Sequence, residues 1–327
     1  MAVSSLTSRY RPQQFKEIVG QEFIRKILSR ACQEDRPANA YLFSGTRGVG
    51  KTTAARIMAK AINCLKGPGA EPCNECTCCV QITDGASPDV LEIDAASHTG
   101  VDNVRKLRED ALYSPMNSRY RVIIIDEAHM LSRGAFNALL KTLEEPPGHC
   151  IFIMATTAPE KFPPTVVSRC QHYVFKMVPL EQLIAHLEKV LQWEKVEYDQ
   201  DAVRLIARKG AGSVRDSMSI LSQVTALGRG RLDADTVRQV LGLAGSEIYQ
   251  EFFKAIINQD LVLIHRQLDD MLGQGLDIGF FLQEFVSCWR NLFLLSLSGD
   301  KAAQVLDLPG EELEVWQDLA GKIPARI

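Results

Sequence analysis

The stretch Gly45-Thr46-Arg47-Gly48-Val49-Gly50-Lys51-Thr52 constrains this chain more than any other. Glycines at that spacing before Lys-Thr leave a row of backbone N–H groups free to converge on a phosphate. The flanks supply the context such a loop needs. Ala40–Ser44 is a short apolar run that reads as a buried strand. From Thr53 to Ile62 the composition is helix-forming, with Ile57, Met58, Ala61 and Ile62 along one stripe. Strand, glycine loop and helix together set the positive end of a helix dipole against an anion. The Lys51 ammonium then reaches the β- and γ-phosphates of a nucleotide, and the Thr52 hydroxyl supports Mg²⁺. Thr53, the first residue past the loop, joins the phosphate-binding set. A chance glycine turn is the bland alternative, and nothing in it calls for those flanks.

The second decisive stretch is Arg121-Val122-Ile123-Ile124-Ile125-Asp126-Glu127. Four β-branched residues in a row indicate a strand covered on both faces, as in a parallel sheet. It ends in two adjacent carboxylates at the edge where open α/β sheets bind ligands. With the phosphate loop upstream, Asp126 is assigned to the Mg²⁺ shell and Glu127 to orienting or deprotonating the attacking water. Without that loop, the pair would read as an acidic start to the next helix. Further strands are expected over 89–95, over 150–155 ending in Thr156-Thr157, and over 171–175. Helices are expected over 22–32, with Phe23, Ile27 and Leu28 inward, over 102–112 and over 134–143. Five strands alternating with helices make a doubly wound α/β domain. The arm from Arg9 to Gln21 reads as extended; its aromatic and proline residues either flank a nucleotide base or form a surface strap.

Between the glycine-loop helix and the second strand lies a cysteine cluster. Cys73-x-x-Cys76-x-x-Cys79 gathers three thiols in one loop, Cys64 supplies a fourth, and Gly67, Pro68, Gly69 and Pro72 bend the chain between them. Four thiolates around tetrahedral Zn²⁺ make a closed structural site. An iron–sulfur cluster is the alternative for the same ligands. Cys78 is left out, because a one-residue spacing from Cys76 suits tetrahedral chelation poorly.

Bulk properties exclude several classes. The 37 basic and 40 acidic residues give a net charge of −3, which argues against a uniformly basic nucleic-acid binder but allows a local phosphate-tracking strip. No apolar run is long enough to span a membrane. The first residues lack the charged and apolar regions of a secretion signal, so a cytoplasmic location is expected. After Met177 the strand signals stop. Helices are expected over 179–193, 199–209, 213–227 and 233–241, broken by glycines that include Gly228 and Gly230, with Ser213 and Asp216 as a capping box. A further set follows over 246–258, 261–273 and 277–298, with one more from Glu311. The stripe Phe280, Phe281, Phe285, Trp289, Phe293 reads as core or subunit interface.

Taken together, the motifs resemble the AAA+ clamp-loader ATPases, and among them the bacterial gamma/tau group. Besides the glycine loop and the cysteine set, the resemblance rests on Arg9-Tyr10-Arg11-Pro12, Val19-Gly20-Gln21-Glu22 and Ile125 to Met130. It continues through Asn137 to Pro147, Ala155-Thr156-Thr157, Ser168-Arg169-Cys170 and Gly212 to Asp216. It implies an ATPase domain over 1–177 with a zinc module near 64–79, a helical lid over 178–242 and a helical collar over 243–327. By resemblance Arg169 is an arginine finger for a neighbour's ATP, Thr157 is sensor 1, and Arg215 is the sensor-2 arginine. Tyr10, Arg11 and Val19 would line the adenine pocket, and helix starts near Arg105 and Ser132 would touch the DNA backbone.

The implied partners are delta, delta-prime and further gamma/tau copies in a five-membered ring, the sliding clamp, primer–template DNA without sequence preference, and single-stranded-DNA-binding protein indirectly. No membrane is implied. Family members carry more sequence after the collar, whereas this sequence ends at Ile327, so a tail for polymerase and helicase is expected to be absent. An inert scaffold in the same ring and a DNA-junction motor are the rival readings.

Overall fold

The structure, a computed structural model, describes residues 5–97, 100–227, 231–298 and 310–322, apart from the side chains of 101–103 and 310–312. Five strands form one parallel sheet: β1 (Ala40–Ser44), β2 (Val90–Asp94), β3 (Arg121–Asp126), β4 (Cys150–Thr156) and β5 (Gln171–Val174). Their spatial order is β2-β3-β4-β1-β5. In register, Asp94 lies opposite Asp126 and Ser44 opposite Thr156, so the carboxyl ends of the strands line up at one edge.

The run of β-branched residues in β3 is explained by its two neighbours. Val122 and Ile124 pack into one core with Leu28, Ile57 and Ile62. Ile123 and Ile125 pack into another with Leu107, Phe136 and Leu139. All four are fully buried, each contributing about 1.5–3 kcal/mol by leaving water. The helices that cover the sheet include α2 (Glu22–Gln33), α3 (Lys51–Ile62), α5 (Val101–Leu112) and α6 (Arg133–Glu144), preceded by a short α1 (Leu6–Arg9). A seven-residue helix, α4 (Thr77–Thr83), carries Cys79, the last thiol of the cluster, and is capped by Cys76; α7 (Pro164–Val167) leads into β5, and α8 (Leu180–Glu194) follows it.

Two sequence expectations in this region need correction. Phe23 does not face inward: it is 74% exposed, and Ile24 and Cys32 join the expected Leu28 in the core, while Ile27 is half-buried. The arm before Gln21 is not extended throughout, because α1 and a 3-10 turn over Phe15–Glu17 shorten it.

The chain separates into two compact units, one running to Val196 with Ile206–Gln223, the other comprising Glu197–Leu205 and Val224 onward. Helices α9 (Gln200–Lys209) and α10 (Val214–Leu227) fall where periodicity indicates them. In the second unit β6 (Glu197–Tyr198) pairs in parallel with β7 (Arg231–Leu232). The expectation of no strand after Met177 is therefore wrong, because a two-residue pairing leaves no periodic trace. Helices α11 (Ala234–Leu241), α12 (Ser246–Ile257), α13 (Leu261–Gly273), α14 (Ile278–Ser298) and α15 (Gly310–Gly321) complete it. Its core centres on Phe253, which stacks on Phe285 at 4.6 Å and Trp289 at 5.6 Å and meets Trp316 edge-on at 5.6 Å. The aromatic stripe of α14 thus divides: Phe280 and Phe281 are buried, whereas Phe293 is 55% exposed. Gly228 and Gly230 lie outside the described residues. Among the described residues no helix is long and apolar enough to cross a membrane.

Candidate functional site

A cavity of about 450 Å³ opens at the carboxyl edge of the sheet, over the start of α3. Two glycines make it possible. At Gly45 φ is +140°, and a Cβ would stand 2.3 Å from the Phe175 carbonyl oxygen, a backbone atom that cannot give way. At Gly48 φ is +77°, and a Cβ would stand 2.0 Å from Ser213 Oγ. There the amide of Arg215 donates to the Gly48 carbonyl at 3.3 Å.

Lys51 is buried, and its ammonium donates to the carbonyls of Gly45 at 2.8 Å and Thr46 at 2.7 Å. Burial draws its pKa below the ordinary lysine value, opposed by the charges of Glu127 and Asp126. The Thr52 hydroxyl donates to Asp126 Oδ2 at 2.7 Å, joining the glycine loop to the end of β3. These are two hard oxygen donors on converging elements, the chemistry that suits Mg²⁺. Glu127 sits in the left-handed region at φ 45°, an uncommon conformation for a residue with a side chain. Its carboxylate accepts from Thr157 Oγ1 at 3.2 Å. Burial and the charge of Arg56 hold the Arg11 pKa below the ordinary arginine value.

The residues expected from sequence fall into two groups. Tyr10, Arg11 and Val19 line the cavity, as do Arg47, Gly48, Val49, Gly50, Lys51, Thr52 and Thr53. Asp126, Glu127 and Arg215 complete this group. Gly45, Thr46, Thr157 and Arg169 are not in the lining. The first two offer their carbonyls to Lys51, and Thr157 reaches the cavity only through Glu127. Arg169 pairs with Glu144 at 2.7 Å and donates to the Thr165 carbonyl at 2.8 Å.

Sequence reasoning missed four participants. Arg56 and Glu92 form a two-pronged ion pair, both bonds at 2.5 Å, in the cavity wall. The alternation Leu91, Glu92, Ile93 in β2 already marked Glu92 as facing away from the core. His129 Nδ1 lies 3.1 Å from Thr156 Oγ1 and 3.5 Å from Glu127 Oε2, behind the carboxylate. His186 of α8 lines the cavity, and burial lowers its pKa.

The four expected thiols come together. The sulfurs of Cys64, Cys73, Cys76 and Cys79 all lie within 4.8 Å of one another. Cys73 and Cys79 are 3.9 Å apart, close to the edge of about 3.8 Å of a tetrahedron with Zn–S near 2.3 Å. The donor set therefore fits a tetrahedral soft metal. Burial opposes ionisation of Cys73, but the amides of Glu75 and Cys76 and the neighbouring thiols bring its pKa down to about 6. Burial pushes the thiols of Cys64 and Cys79 up. Cys78 stays apart: its sulfur faces the Asn117 carbonyl at 3.7 Å, which accounts for its exclusion from the cluster.

Comparison with known proteins gives this geometry a lineage. Residues 20–179 match the family described as DNA polymerase III, delta subunit. Residues 182–230 match the ATPase lid domain of the DNA polymerase III clamp loader subunit, and 232–327 match domain III of subunits gamma and tau. The DNA polymerase III subunit gamma of Buchnera aphidicola is 38% identical over 268 residues, covering 81% of this chain and 72% of that protein. The chain belongs to the gamma/tau family of DNA polymerase III.

The Bacillus subtilis tau subunit is 39% identical over all of this chain and 58% of its own length. The Escherichia coli tau subunit is 38% identical over 99% of this chain and 50% of its own length. The chain thus spans little more than half of these longer gamma/tau proteins. Among solved structures, the Thermotoga maritima RuvB Holliday junction branch migration motor superposes with a TM-score of 0.54 at 20% identity, over 76% of this chain and 79% of that one. That likeness fixes the fold: an AAA+ sheet followed by helical lid and collar regions.

Proposed function

We propose that this gamma/tau chain is a Mg²⁺-dependent ATPase subunit of the replicative clamp loader, acting in the cytoplasm. The observation that carries the reading is the cavity in which Lys51, the Thr52–Asp126 pair and Glu127 converge. Lys51 exchanges its two loop carbonyls for β- and γ-phosphate oxygens, and the loop amides from Arg47 to Thr53 cradle the chain of phosphates. Thr52 and Asp126 hold Mg²⁺, which neutralises charge on the phosphates. Glu127 orients the attacking water and accepts its proton, with Thr157 bonded to the same carboxylate as a sensor of the γ-phosphate. Tyr10, Arg11 and Val19 form the adenine wall, and Arg215 closes over the phosphates from the lid. Arg169 leaves Glu144 and reaches the γ-phosphate bound in a neighbouring subunit, a contact of the kind worth about 10³–10⁵ in rate elsewhere. Zn²⁺ held by Cys64, Cys73, Cys76 and Cys79 is structural.

Domains of 1–177, 178–242 and 243–327 serve as ATPase, lid and collar. Leu282, Val286, Phe293 and Leu297, exposed along α14 among the described residues, supply an apolar face for ring assembly. The ring has five members, with delta, delta-prime and further gamma/tau copies. ATP binding readies it to open the sliding clamp on primer–template DNA, with single-stranded-DNA-binding protein as an indirect partner, and hydrolysis releases the clamp. Backbone contacts from the α6 start at Ser132 and from α5 near Arg105 make DNA binding salt-sensitive and independent of sequence.

The test is the ATPase rate with clamp, partner subunits and primed DNA added in turn, against Lys51→Ala. Stepwise stimulation reaching its maximum only with all three supports the reading. A rate indifferent to them, or equal in the variant, refutes it. Native mass of the assembly separates a five-membered loader from a hexameric junction motor.

A further inference from the structure

Four consecutive backbone N–H groups in the arm, from Gln13 to Lys16, are each taken by a carboxylate. Glu17 Oε2 accepts from Gln13 at 2.7 Å and from Gln14 at 3.3 Å. Glu71 accepts from the next two, Phe15 at 2.6 Å and Lys16 at 2.9 Å, one with each oxygen. Glu17 is local to the arm, but Glu71 belongs to the cysteine loop, two residues before Cys73. The same loop receives Gln14 Nε2 on the Pro72 carbonyl at 3.3 Å.

A second tie runs through Lys60, on α3. Its ammonium, 2% exposed, donates to Gln13 Oε1 at 2.5 Å, to Asn74 Oδ1 at 2.8 Å and to Thr83 Oγ1 at 3.3 Å. All three N–H bonds are used, one on the arm and two on the cysteine module. Among the described residues Lys60 forms no ion pair, so these dipoles orient its ammonium, with the charge of Glu17 nearby. Phe15 and Ile82, the latter from α4 of the cysteine module, also share one core.

The position of these ties along the chain gives them a functional meaning. Arg11 and Pro12 on one side, and Ile18 and Val19 on the other, wall the nucleotide cavity. The segment between them is the one bound to the cysteine loop. We propose that the cysteine module is a positioning device for the nucleotide site: through Glu71 and Lys60 it sets the arm that walls the cavity. The module thus controls nucleotide affinity from outside the cavity, without touching the reacting atoms. This rests on the nucleotide reading above and adds a job for the module beyond holding itself together.

The test uses the full chain. Glu71→Ala removes both acceptors, and Glu71→Gln keeps one. For Glu71→Ala the Kd of a fluorescent ATP analogue should rise about tenfold, as expected for losing charge-assisted bonds that only orient the lining. Glu71→Gln should fall between the two. Zinc content by elemental analysis should match the unsubstituted chain. The kcat at saturating ATP should stay within about twofold, so that the loss appears in KM. Hydrogen exchange should quicken at the amides from Arg11 to Val19. Gln13→Ala, which leaves Glu71 in place but removes the bonds from Lys60 and Thr83 together with the local bond from Gln13 Nε2 to the Arg11 carbonyl, should weaken binding about threefold. Unchanged affinity in variants whose arm amides exchange faster would overturn the coupling alone. An unsubstituted chain that binds no ATP would instead sink the nucleotide reading.

Discussion

Helix α3 carries a different kind of site at each end. At its start, Lys51 and Thr52 face a cavity of about 450 Å³, and their partners are two loop carbonyls and one carboxylate. An incoming phosphate can displace each of those partners. Just past its end, Cys64 joins three other thiols within 4.8 Å, and Lys60 spends every N–H on a neighbouring segment. There the groups satisfy one another, and the cavity that Lys60 borders is smaller, about 180 Å³. The contrast separates a place where ligands exchange from a place where geometry is held, although one helix builds both.

The sharpest way to break that contrast is at the open end. Lys51→Ala should lower ATP turnover about 10³-fold or more, because the loop loses its own charged contact with the β- and γ-phosphates. Its thermal midpoint should move by no more than about 2 °C, since the ammonium is bonded only to the loop. Scanning calorimetry beside a turnover assay reads both; a collapsed midpoint would erase the distinction. Glu127→Gln should cost about 10²–10⁴ in turnover while ATP binding persists, because an amide cannot accept the proton from water. Rapid-filtration binding with single-turnover kinetics would reveal it, and undiminished hydrolysis would remove the glutamate from the chemistry.

The closed end should respond in the opposite way. Cys76→Ser should lose metal and lower the thermal midpoint by roughly 5 °C or more, with kcat at saturating ATP nearly intact. Dialysis of the unsubstituted chain against a chelator should reproduce the loss of stability and be reversed by Zn²⁺.

A smaller effect comes from Asp89, fully buried before β2. Burial raises its pKa, but the amides of Met116, Asn117 and Ser118, at 2.6, 2.7 and 2.9 Å, more than offset this and leave it below the ordinary 3.8. A carboxyl depressed on folding adds stability that is complete above its unfolded pKa and fades as pH falls through the folded one. Urea midpoints should therefore drop below pH 3.8 in the unsubstituted chain. Asp89→Asn should lose about 1–3 kcal/mol at neutral pH and flatten part of that slope.

What could be read from sequence divides along the same physical line. Val122 to Ile125 announced a strand buried on both faces, and the glycine loop announced its cavity, because each is a dense local pattern. The four thiols were legible because metal ligands come at short, stereotyped spacings. Phe23 misled because a helix with aromatic and aliphatic residues at adjacent positions leaves its inward stripe uncertain by one step, and Ile24 took the core. Arg56 and Glu92 are 36 residues apart and meet only once β2 lies beside α3. His129 becomes informative only when Thr156 and Glu127 arrive on either side of it. Glu71 sat unnoticed among turn residues, since nothing local says that its carboxylate caps amides 55 and 56 positions earlier.

The glycine at 48 has a use beyond its backbone angle. A methyl group there would push against Ser213 Oγ at 2.0 Å and crowd Arg215 Cβ at 3.1 Å. Alanine at this position would therefore act as a doorstop, propping the start of α10 away from the loop. Such a protein, jammed ajar by one carbon atom, would be a tool for trapping the subunit before it grips its fuel.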